Sequence, residues 1–399
     1  MAQGSSTNGY GRGAAPLENR GVMAASGAPV PSPAQQAPYL PHKTSVRSAR
    51  RVAKPARRPA RRHRRPQRPL ASAVLWLVML GVCALMALRT LPTDLANGRI
   101  VPEVVSFVPL ALIPTIICLA IALLSRRRLL LVVCVLALAI NGWWHAGYFA
   151  GRARVSSAAE YTVSTSAATD DSYARVMTVN TLNGSASAKQ IVEVCRAEHV
   201  EVLCLQELTN GMVADLTAAG IDEVLPYHVV SEGASAISNG GRNGIWTAAP
   251  QDNVSRNLLP IETSSMPAAD IVIGSITVRI VSVHPNSPVR GAEGLWDKGL
   301  SVIGSLSDYG HAYLIMGDFN STWDHARFRT LLGTRFADAS QASGEGFHMT
   351  YPSNKIVPSL IEIDHIVYAR DSGITVSSLK AVEIAGTDHK ALIGTLEAR

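Results

Sequence analysis

One short segment combines an acid and an amide directly after an apolar run. In YLIMGDFNSTW (313–323), a strand-like stretch leads to Gly317, and Asp318 and Asn320 follow. If the extended chain continues, two side chains that are two positions apart point to the same face. A carboxylate beside a carboxamide can hold and orient a water molecule or a phosphate oxygen, and the glycine permits a sharp turn or the close approach of a ligand. A turn with solvated polar side chains explains so short a motif equally well.

Other apolar runs end on acids and amides in the same way. VLCLQEL (202–208) delivers Gln206 and Glu207, and VMTVNTLNG (176–184) carries Asn180 at the end of a strand-like run. An acid at the end of a buried strand must be paired, bound to a metal or exposed at the sheet edge, because an unpaired buried carboxylate is costly. Oxygen ligands of this kind suit Mg²⁺, Mn²⁺ or Ca²⁺ rather than zinc.

Three histidines lie beside or at the ends of similar runs. GTDHKAL (386–392) places Asp388 beside His389, and a histidine with a nearby carboxylate can stay partly protonated and face a phosphate. His284 ends another run, and a hydrogen-bonded structural role competes there with a functional one. For His365, next to Asp364, the structural interpretation is favoured.

Strands and helices must deliver these groups to one place. Strands are predicted at 173–180, 201–206, 276–284, 312–317, 361–368, 374–383 and 391–396. Helices are predicted at 187–198, 292–307 and 324–332. Several of the strands end on the polar residues named above, which favours a mixed α/β domain with functional groups at its strand ends.

The N-terminal part of the chain differs sharply in charge from this domain. Residues 1–154 carry 21 Lys and Arg against 3 Asp and Glu, whereas 155–399 carry 16 against 27, a net charge of −11. Gly, Ala, Ser, Pro and Gln dominate the start of the chain, and 12 Lys and Arg lie within 43–68. Residues 1–69 are therefore predicted to be a disordered basic tail. Five cysteines without metal-like spacing predict free thiols.

Three apolar runs follow the tail and predict a membrane region at 70–150. About 20 apolar residues cross a hydrocarbon core of about 30 Å, so transmembrane helices are expected at 70–88, 104–124 and 129–150. Positive charge tends to remain in the cytoplasm, which puts the basic tail and Arg126–Arg128 inside. We therefore expect a multi-pass protein of the cell membrane, with the lipid bilayer as a partner and the remaining chain outside the cytoplasm. A re-entrant segment in place of one span would reverse that orientation.

A second composition change separates the apolar runs from the α/β domain. Residues 151–172 are rich in Ser, Ala and Thr and predict a linker, so that the domain occupies 173–399. In their order along this domain, the strand-end clusters resemble the endonuclease/exonuclease/phosphatase superfamily, which includes nonspecific DNases, apurinic endonucleases, sphingomyelinases and inositol polyphosphate 5-phosphatases. GDFN (317–320) and the Asp-His pair at 388–389 are the most specific elements, and MTYPS (349–353) before IEIDHI (361–366) also looks like the family pattern.

The resemblance implies a fold, an activity and a set of roles. The fold is a four-layer α/β sandwich of the DNase-I-like type, and the activity is that of a metal-dependent phosphoric ester hydrolase. Glu207 is expected to bind Mg²⁺, or else Mn²⁺ or Ca²⁺, with Asn180 beside it as a metal ligand or phosphate contact. Asp318 would orient or deprotonate the attacking water, and Asn320 would position that water or the phosphate.

The resemblance assigns the remaining groups less completely. His389, held by Asp388, is expected to stabilise the phosphoryl oxygens, and Asp364 completes the acidic set. His284 matches a position where DNases and sphingomyelinases use a histidine near the leaving group, but the sequence offers no evident glutamate as its partner. Asn243 in GGRNGIW (240–246) is a weaker candidate for a phosphate contact.

The net charge of the α/β domain and the apolar runs before it both favour one class of substrate over another. Affinity for nucleic acids comes largely from Lys and Arg on phosphates, and a domain with a net charge of −11 has no general basic surface of that kind. Tethering near lipid headgroups favours a membrane-proximal lipid or cell-envelope phosphoester. The layout and VHPNSP (283–288) also resemble membrane-anchored members linked to glycopeptide resistance in Gram-positive bacteria. An outward-facing metal-dependent endonuclease or exonuclease is the alternative, and a catalytically inactive binding module, disfavoured by the intact polar set, is a third.

Overall fold

The computed structural model describes residues 69–98, 100–232 and 241–399. All but one residue of the predicted basic tail, 1–69, lies outside the described residues. Six helices open the described chain: α1 (Pro69–Arg89), α2 (Thr93–Ala96), α3 (Val101–Val105), α4 (Leu112–Leu124), α5 (Arg128–Trp144) and α6 (Gly147–Ala150).

The three longest of these helices pack together as an apolar bundle. α1, α4 and α5 share a buried core that includes Met79, Cys118 and Cys134. Large apolar side chains cover the outer faces of the same helices, and they are exposed: Leu77, Leu80, Ile113, Ile116, Ile117, Leu123, Val132, Val135 and Leu136. The bundle is therefore apolar on both its inner and its outer sides.

The structure corrects the prediction of three membrane spans. In the described part of the chain, only α1, with 21 residues, is long and apolar enough to cross a membrane by length and composition. The predicted span at 104–124 is interrupted by a 3₁₀ turn, Val108–Ala111, because Pro109 lacks an amide hydrogen and cannot continue an α-helix. α5 has 17 residues and ends at Trp144, short of the predicted 150. Both fall below the roughly 20 residues that a span needs.

Among the described residues after 150, twelve strands and six α-helices follow. The helices are α7 (Ser157–Thr165), α8 (Ala188–Ala197), α9 (Asn210–Ala218), α10 (Glu293–Gly304), α11 (Ala326–Leu332) and α12 (Ala339–Ser343). The strands are β1 (Tyr173–Asn180), β2 (Val200–Leu208), β3 (Tyr227–Val230), β4 (Arg242–Thr247), β5 (Asp252–Ser255), β6 (Ala268–Ile273), β7 (Ile276–Val283), β8 (Ala312–Asp318), β9 (Phe336–Asp338), β10 (Asp364–Ala369), β11 (Ile374–Glu383) and β12 (Lys390–Ala398). Helix α7 lies within the segment predicted to be a linker.

Two mixed six-stranded sheets form the centre of the α/β domain. The first has the order β11-β12-β1-β2-β4-β3 and the second β5-β6-β7-β8-β10-β9. β1 and β2 are parallel in the first sheet, as are β7 and β8 in the second, and the other pairs are antiparallel. Each sheet thus has one central parallel pair flanked by antiparallel strands.

Three apolar cores hold these layers together. Residues of both sheets, among them Val176, Ile280 and Leu314, fill the space between the sheets. A second core packs α8 and α9 on the outer face of the first sheet, and a third packs α10 and α11 on the outer face of the second. The domain is therefore the expected sandwich of helices, sheet, sheet and helices.

Candidate active site

The sheet topology brings the polar strand ends to one edge of the sandwich. Because β1 and β2 are parallel, Asn180 and Glu207 lie side by side, and β7 and β8 do the same for His284 and Asp318. β10 runs antiparallel to β8, so its first residue, Asp364, pairs with Asp318. β12 runs antiparallel to β1, and the residue before it is His389. All six side chains are buried: Asn180, Glu207, His284, Asp318, Asp364 and His389.

The side chain of Asn180 links the acids of the two sheets. Its amide nitrogen donates to Glu207 Oε1 and to Asp318 Oδ2, at 3.0 Å each. The second Glu207 oxygen accepts from the backbone amide of Asn183 at 2.8 Å. Glu207 itself has a backbone φ of +55°, a conformation that costs energy for a non-glycine residue and is typical of functional sites. The convergence expected of Asn180, Glu207 and Asp318 is present.

His284 lies between the two carboxylates rather than at the site's surface. Its Nε2 is 3.6 Å from both Glu207 Oε1 and Asp318 Oδ2, and its side chain is 0% exposed. The sequence shows no evident glutamate partner for this histidine, and in the structure Glu207 lies beside it. Neither ring nitrogen has a hydrogen-bond partner among the residues that the structure describes.

The partner of His389 differs from the expected one. His389 Nδ1 is 2.9 Å from Asp364 Oδ2, and its Nε2 is 3.7 Å from Asp318 Oδ2. The expected partner, Asp388, makes no ion pair with His389 in the described structure. Asp364 thus takes the role predicted for Asp388, and the ring of Tyr351, which sequence analysis passed over, lies 5.0 Å from the His389 ring.

The GDFN segment depends on a close backbone approach. A side chain at Gly317 would place its Cβ 2.0 Å from the Val283 carbonyl oxygen, and the φ of Gly317 is +154°. Beyond it, the amide of Asn320 donates to Asp318 Oδ1 at 2.7 Å, and the Asn320 side chain donates to the Pro285 carbonyl at 3.0 Å. The glycine lets β8 approach β7 closely enough to set Asp318 beside His284.

Two other residues named by sequence analysis have structural contacts. The Asn243 side chain donates to Ser264 Oγ at 3.0 Å and to the Ser265 carbonyl at 2.7 Å. Its amide nitrogen, the group expected to contact a phosphate, is therefore used in bonds within the domain. His365 Nδ1 is 3.0 Å from Asp338 Oδ1, and its Nε2 is 2.8 Å from the Ser321 carbonyl. His365 is thus doubly bonded inside the domain, in agreement with the structural interpretation.

Burial and mutual proximity shift the pKa values of the central groups. Burial raises the pKa of Asp318 above its usual range, and this rise is opposed first by His389. Burial lowers the pKa of His389, but the carboxylates of Asp364 and Asp318 outweigh it and raise the pKa to about 10. At neutral pH this arrangement supplies a positive imidazolium beside acids, which can stabilise negative oxygens of a bound group.

Comparison with known proteins agrees with this arrangement. The sequence model of the endonuclease/exonuclease/phosphatase family matches residues 177–389, more than half of the chain, and includes all the strand ends described above. The chain belongs to the endonuclease/exonuclease/phosphatase family. It is therefore a phosphoesterase, of a family that has metal-dependent members. No curated protein matches the chain.

Solved structures resemble this chain at low sequence identity and with TM-scores below 0.5. A humanized D. rerio TDP2 is 16% identical, with a TM-score of 0.47, and the match covers 57% of this chain and 100% of that one. Sphingomyelinase C from Streptomyces griseocarneus is 15% identical, with a TM-score of 0.40 and coverages of 56% and 99%. Beta toxin from Staphylococcus aureus with bound magnesium ions is 14% identical, with a TM-score of 0.42 and coverages of 57% and 99%. Such likeness concerns the fold and not the substrate.

The side-chain oxygen and nitrogen atoms at the candidate active site suit a hard cation. Ligand atoms of Asp318, Asp364 and His389 lie within 4.8 Å of one another, and Glu207 adds a further carboxylate through Asn180. One oxygen of Asp364 is buried with no hydrogen-bond partner among the described residues, which is costly unless a further group satisfies it. An oxygen-rich set of this kind suits Mg²⁺, Mn²⁺ or Ca²⁺.

Proposed function

We propose that the chain is a membrane-anchored, metal-dependent phosphoester hydrolase that acts on a lipid or cell-envelope phosphoester outside the cytoplasm. The observation that carries the substrate class is the bundle of α1, α4 and α5, whose outer faces present large apolar side chains. Soluble proteins seldom expose apolar surface on this scale, and a lipid bilayer is the solvent that suits it.

The proposed anchor is α1, with the α4–α5 hairpin packed against it in the same apolar layer. Lipid surrounds the outer faces, and the exposed aromatic rings of Trp143 and Phe149, near the end of α5, lie at the interface with water. The basic residues before α1 stay in the cytoplasm. One crossing therefore carries the chain to the outer side, as three crossings would.

The bundle also lies directly against the domain that holds the site. Trp323, three residues after Asn320, donates from its indole nitrogen to the Trp144 carbonyl at the end of α5, at 3.2 Å. The candidate active site is therefore held close to the membrane surface, where phosphates on lipid carriers are concentrated. The negative charge of residues 155–399 adds to this preference, because it opposes general binding of nucleic acid.

In the proposed reaction, Glu207, Asp318 and Asp364 would hold the cation, and Asn180 orients the first two. A cation held there would supply Lewis-acid stabilisation of the phosphoryl oxygens. Asp318 accepts a hydrogen bond from the attacking water, or takes its proton, and Asn320 fixes the direction of that water.

The histidines act on the phosphate itself. His389, kept protonated by Asp364, donates from Nε2 to a nonbridging oxygen as negative charge grows there. His284 lies between Glu207 and Asp318, 3.6 Å from an oxygen of each, and is placed near the leaving group in the proposed reaction. Asp388, adjacent to His389, supports the segment by accepting a hydrogen bond at its carbonyl from the Ser353 amide at 2.7 Å.

The test is a substrate panel with the full chain in detergent micelles or lipid nanodiscs. Phospholipid vesicles, a polyprenyl phosphodiester, bis-p-nitrophenyl phosphate, plasmid DNA and RNA are each incubated with Mg²⁺ and with EDTA, and Glu207→Gln is the inactive control. We expect Mg²⁺-dependent turnover of a lipid-linked phosphoester. Rapid DNA cleavage with no lipid turnover would replace the proposed substrate class by a nuclease activity, and no hydrolysis of any substrate would overturn the proposal.

A further inference from the structure

The segment just after the GDFN motif is also one of the contacts between the α/β domain and the apolar helices. It consists of residues 321–325, which we call the junction segment. His325 Nε2 is 2.8 Å from the carbonyl of Pro102 in α3, and the Trp323 indole reaches the end of α5. Five residues therefore connect the candidate active site to the helices that precede it.

Asp324 is the centre of this contact. Its carboxylate pairs with the Arg89 guanidinium at the end of α1, and its two oxygens lie 3.1 and 3.0 Å from His145 Nε2 just after α5. Asp324 is 1% exposed, and Arg89, whose guanidinium lies 4.3 Å from the centre of the Trp144 ring, is 8% exposed. Burial raises the pKa of Asp324, but His145 and Arg89 outweigh it and lower the pKa below its ordinary value.

A buried charge cluster is an unusual way to attach two apolar surfaces. Desolvation of the charges offsets much of their attraction, and apolar side chains of the same volume often stabilise a protein as well or better. What a buried ion pair does provide is a defined geometry, because any shift leaves a charge without its partner. The cluster at Asp324 is thus suited to fixing the position of the junction segment rather than to holding the two parts together.

The other end of the junction segment is bonded to the GDFN motif. Trp296 Nε1 donates to the Asn320 carbonyl at 3.1 Å and to Ser321 Oγ at 3.0 Å, and the Trp296 ring packs edge-on against the His325 ring with centroids 5.3 Å apart. His365 meets the Ser321 carbonyl at 2.8 Å. A movement at Asp324 would therefore be transmitted to Asn320 through buried, bonded groups.

We propose that Asp324 is a positioning residue, which uses its pairing with Arg89 and His145 of the apolar helices to fix the junction segment and, through it, the placement of Asn320. The inference rests on the proposed function, in which Asn320 directs the attacking water. The helices then do more than retain the enzyme at the membrane, because they complete the geometry of its site. An ion pair between the segment that follows the apolar helices and the α/β domain, Arg154–Glu345 at 3.1 Å, is more exposed and leads to no site residue.

The first test compares kcat and KM for bis-p-nitrophenyl phosphate in the full chain in micelles. We expect Asp324→Asn and Arg89→Met to lower kcat roughly tenfold with KM within about twofold, because small misplacements of reacting groups are costly. Arg89→Lys keeps the charge and should retain about half of the wild-type kcat. Arg154→Ala is the matched control and should keep the wild-type kcat.

The second test asks whether Asp324 acts through Asn320. If it does, adding Asp324→Asn to Asn320→Ala lowers kcat little further, whereas a purely structural defect multiplies the two losses. Equal kcat for wild type and folded Asp324→Asn, or full multiplication in the double variant, would overturn the inference. If Asp324→Asn does not fold, Arg89→Met and Arg89→Lys are each combined with Asn320→Ala in a double variant instead.

A third measurement needs no activity. Amide hydrogen exchange of the peptide 316–325 should quicken in Arg89→Met and stay unchanged in Arg154→Ala, because only the first loosens the junction segment. Unchanged exchange in Arg89→Met would overturn the positioning role. Absence of any phosphoesterase activity in the wild type would instead refute the proposed function, and the exchange result would still decide whether the helices fix this segment.

Discussion

Replacement of Gly317 by alanine tests the close approach of β7 and β8 at the candidate active site. The added Cβ would lie 2.0 Å from the Val283 carbonyl oxygen, and ordinary van der Waals contact begins at 3.4 Å, so the two strands must separate by about 1 Å or more. Overpacking of a buried site and a backbone φ of +154° together cost about 2–4 kcal/mol, which corresponds to a fall of roughly 5–10 °C in Tm.

The same separation moves the residues that follow the two strands, His284 and Asp318. A displacement of about 1 Å in groups that position a nucleophile can lower the rate about 100-fold. Gly310→Ala is the matched control, because no atom lies within 4 Å of the added Cβ and the position precedes the same strand. Thermal unfolding and hydrolysis of bis-p-nitrophenyl phosphate are measured for both variants. A Gly317→Ala protein as stable and as active as Gly310→Ala would refute the reasoning.

Three further changes have defined outcomes. Burial raises the pKa of Glu201 to about 8, so unfolding releases its proton and the stability of the fold falls as pH rises from about 4.5 to 8. Glu201→Gln should remove this pH dependence and add on the order of 2 kcal/mol of stability at pH 8, measured by thermal melts. An unchanged pH dependence in the variant would contradict this expectation. Trp296→Phe removes the donor to Asn320 and Ser321 and should lower kcat about fivefold in steady-state assays, whereas wild-type kcat would show that these bonds are dispensable. Dialysis against EDTA should abolish hydrolysis in a stopped assay. Added Mg²⁺ or Mn²⁺ should restore hydrolysis in the wild type but not in Glu207→Gln. Activity that survives chelation would argue against a bound cation.

Much of the fold follows from local patterns in the sequence. The limits of β1 and β11 agree with those predicted, and β2, β7, β8, β10 and β12 differ by a few residues at their ends. Strands β3, β4, β5, β6 and β9 were not predicted. β3, β5 and β9 have three or four residues and too few alternations to form a pattern, whereas β4 and β6 have six residues each. Apolar content alone overestimated the number of membrane-spanning helices, because it does not show that Pro109 interrupts the helix predicted at 104–124.

The polar residues at the strand ends could be located from the sequence, but which of their side chains contact each other could not. The polar ends of β1, β2, β7 and β8 follow directly from the apolar runs before them. Which carboxylate holds His389 depends on the antiparallel pairing of β10 with β8, and that register is not visible in the sequence around Asp388. The contact of Asp324 with Arg89 joins residues 235 positions apart, so no local pattern could indicate it.

In the proposed function, strand ends from both sheets form one pocket that holds a hard cation against a phosphate. Anomalous diffraction from crystals of the full chain grown with Mn²⁺ and a phosphate analogue locates the cation directly. We expect one or two Mn²⁺ peaks within about 2.5 Å of carboxylate oxygens of Glu207, Asp318 or Asp364, with the phosphate facing His389. Mn²⁺ bound only elsewhere, with the phosphate away from these side chains, would contradict it.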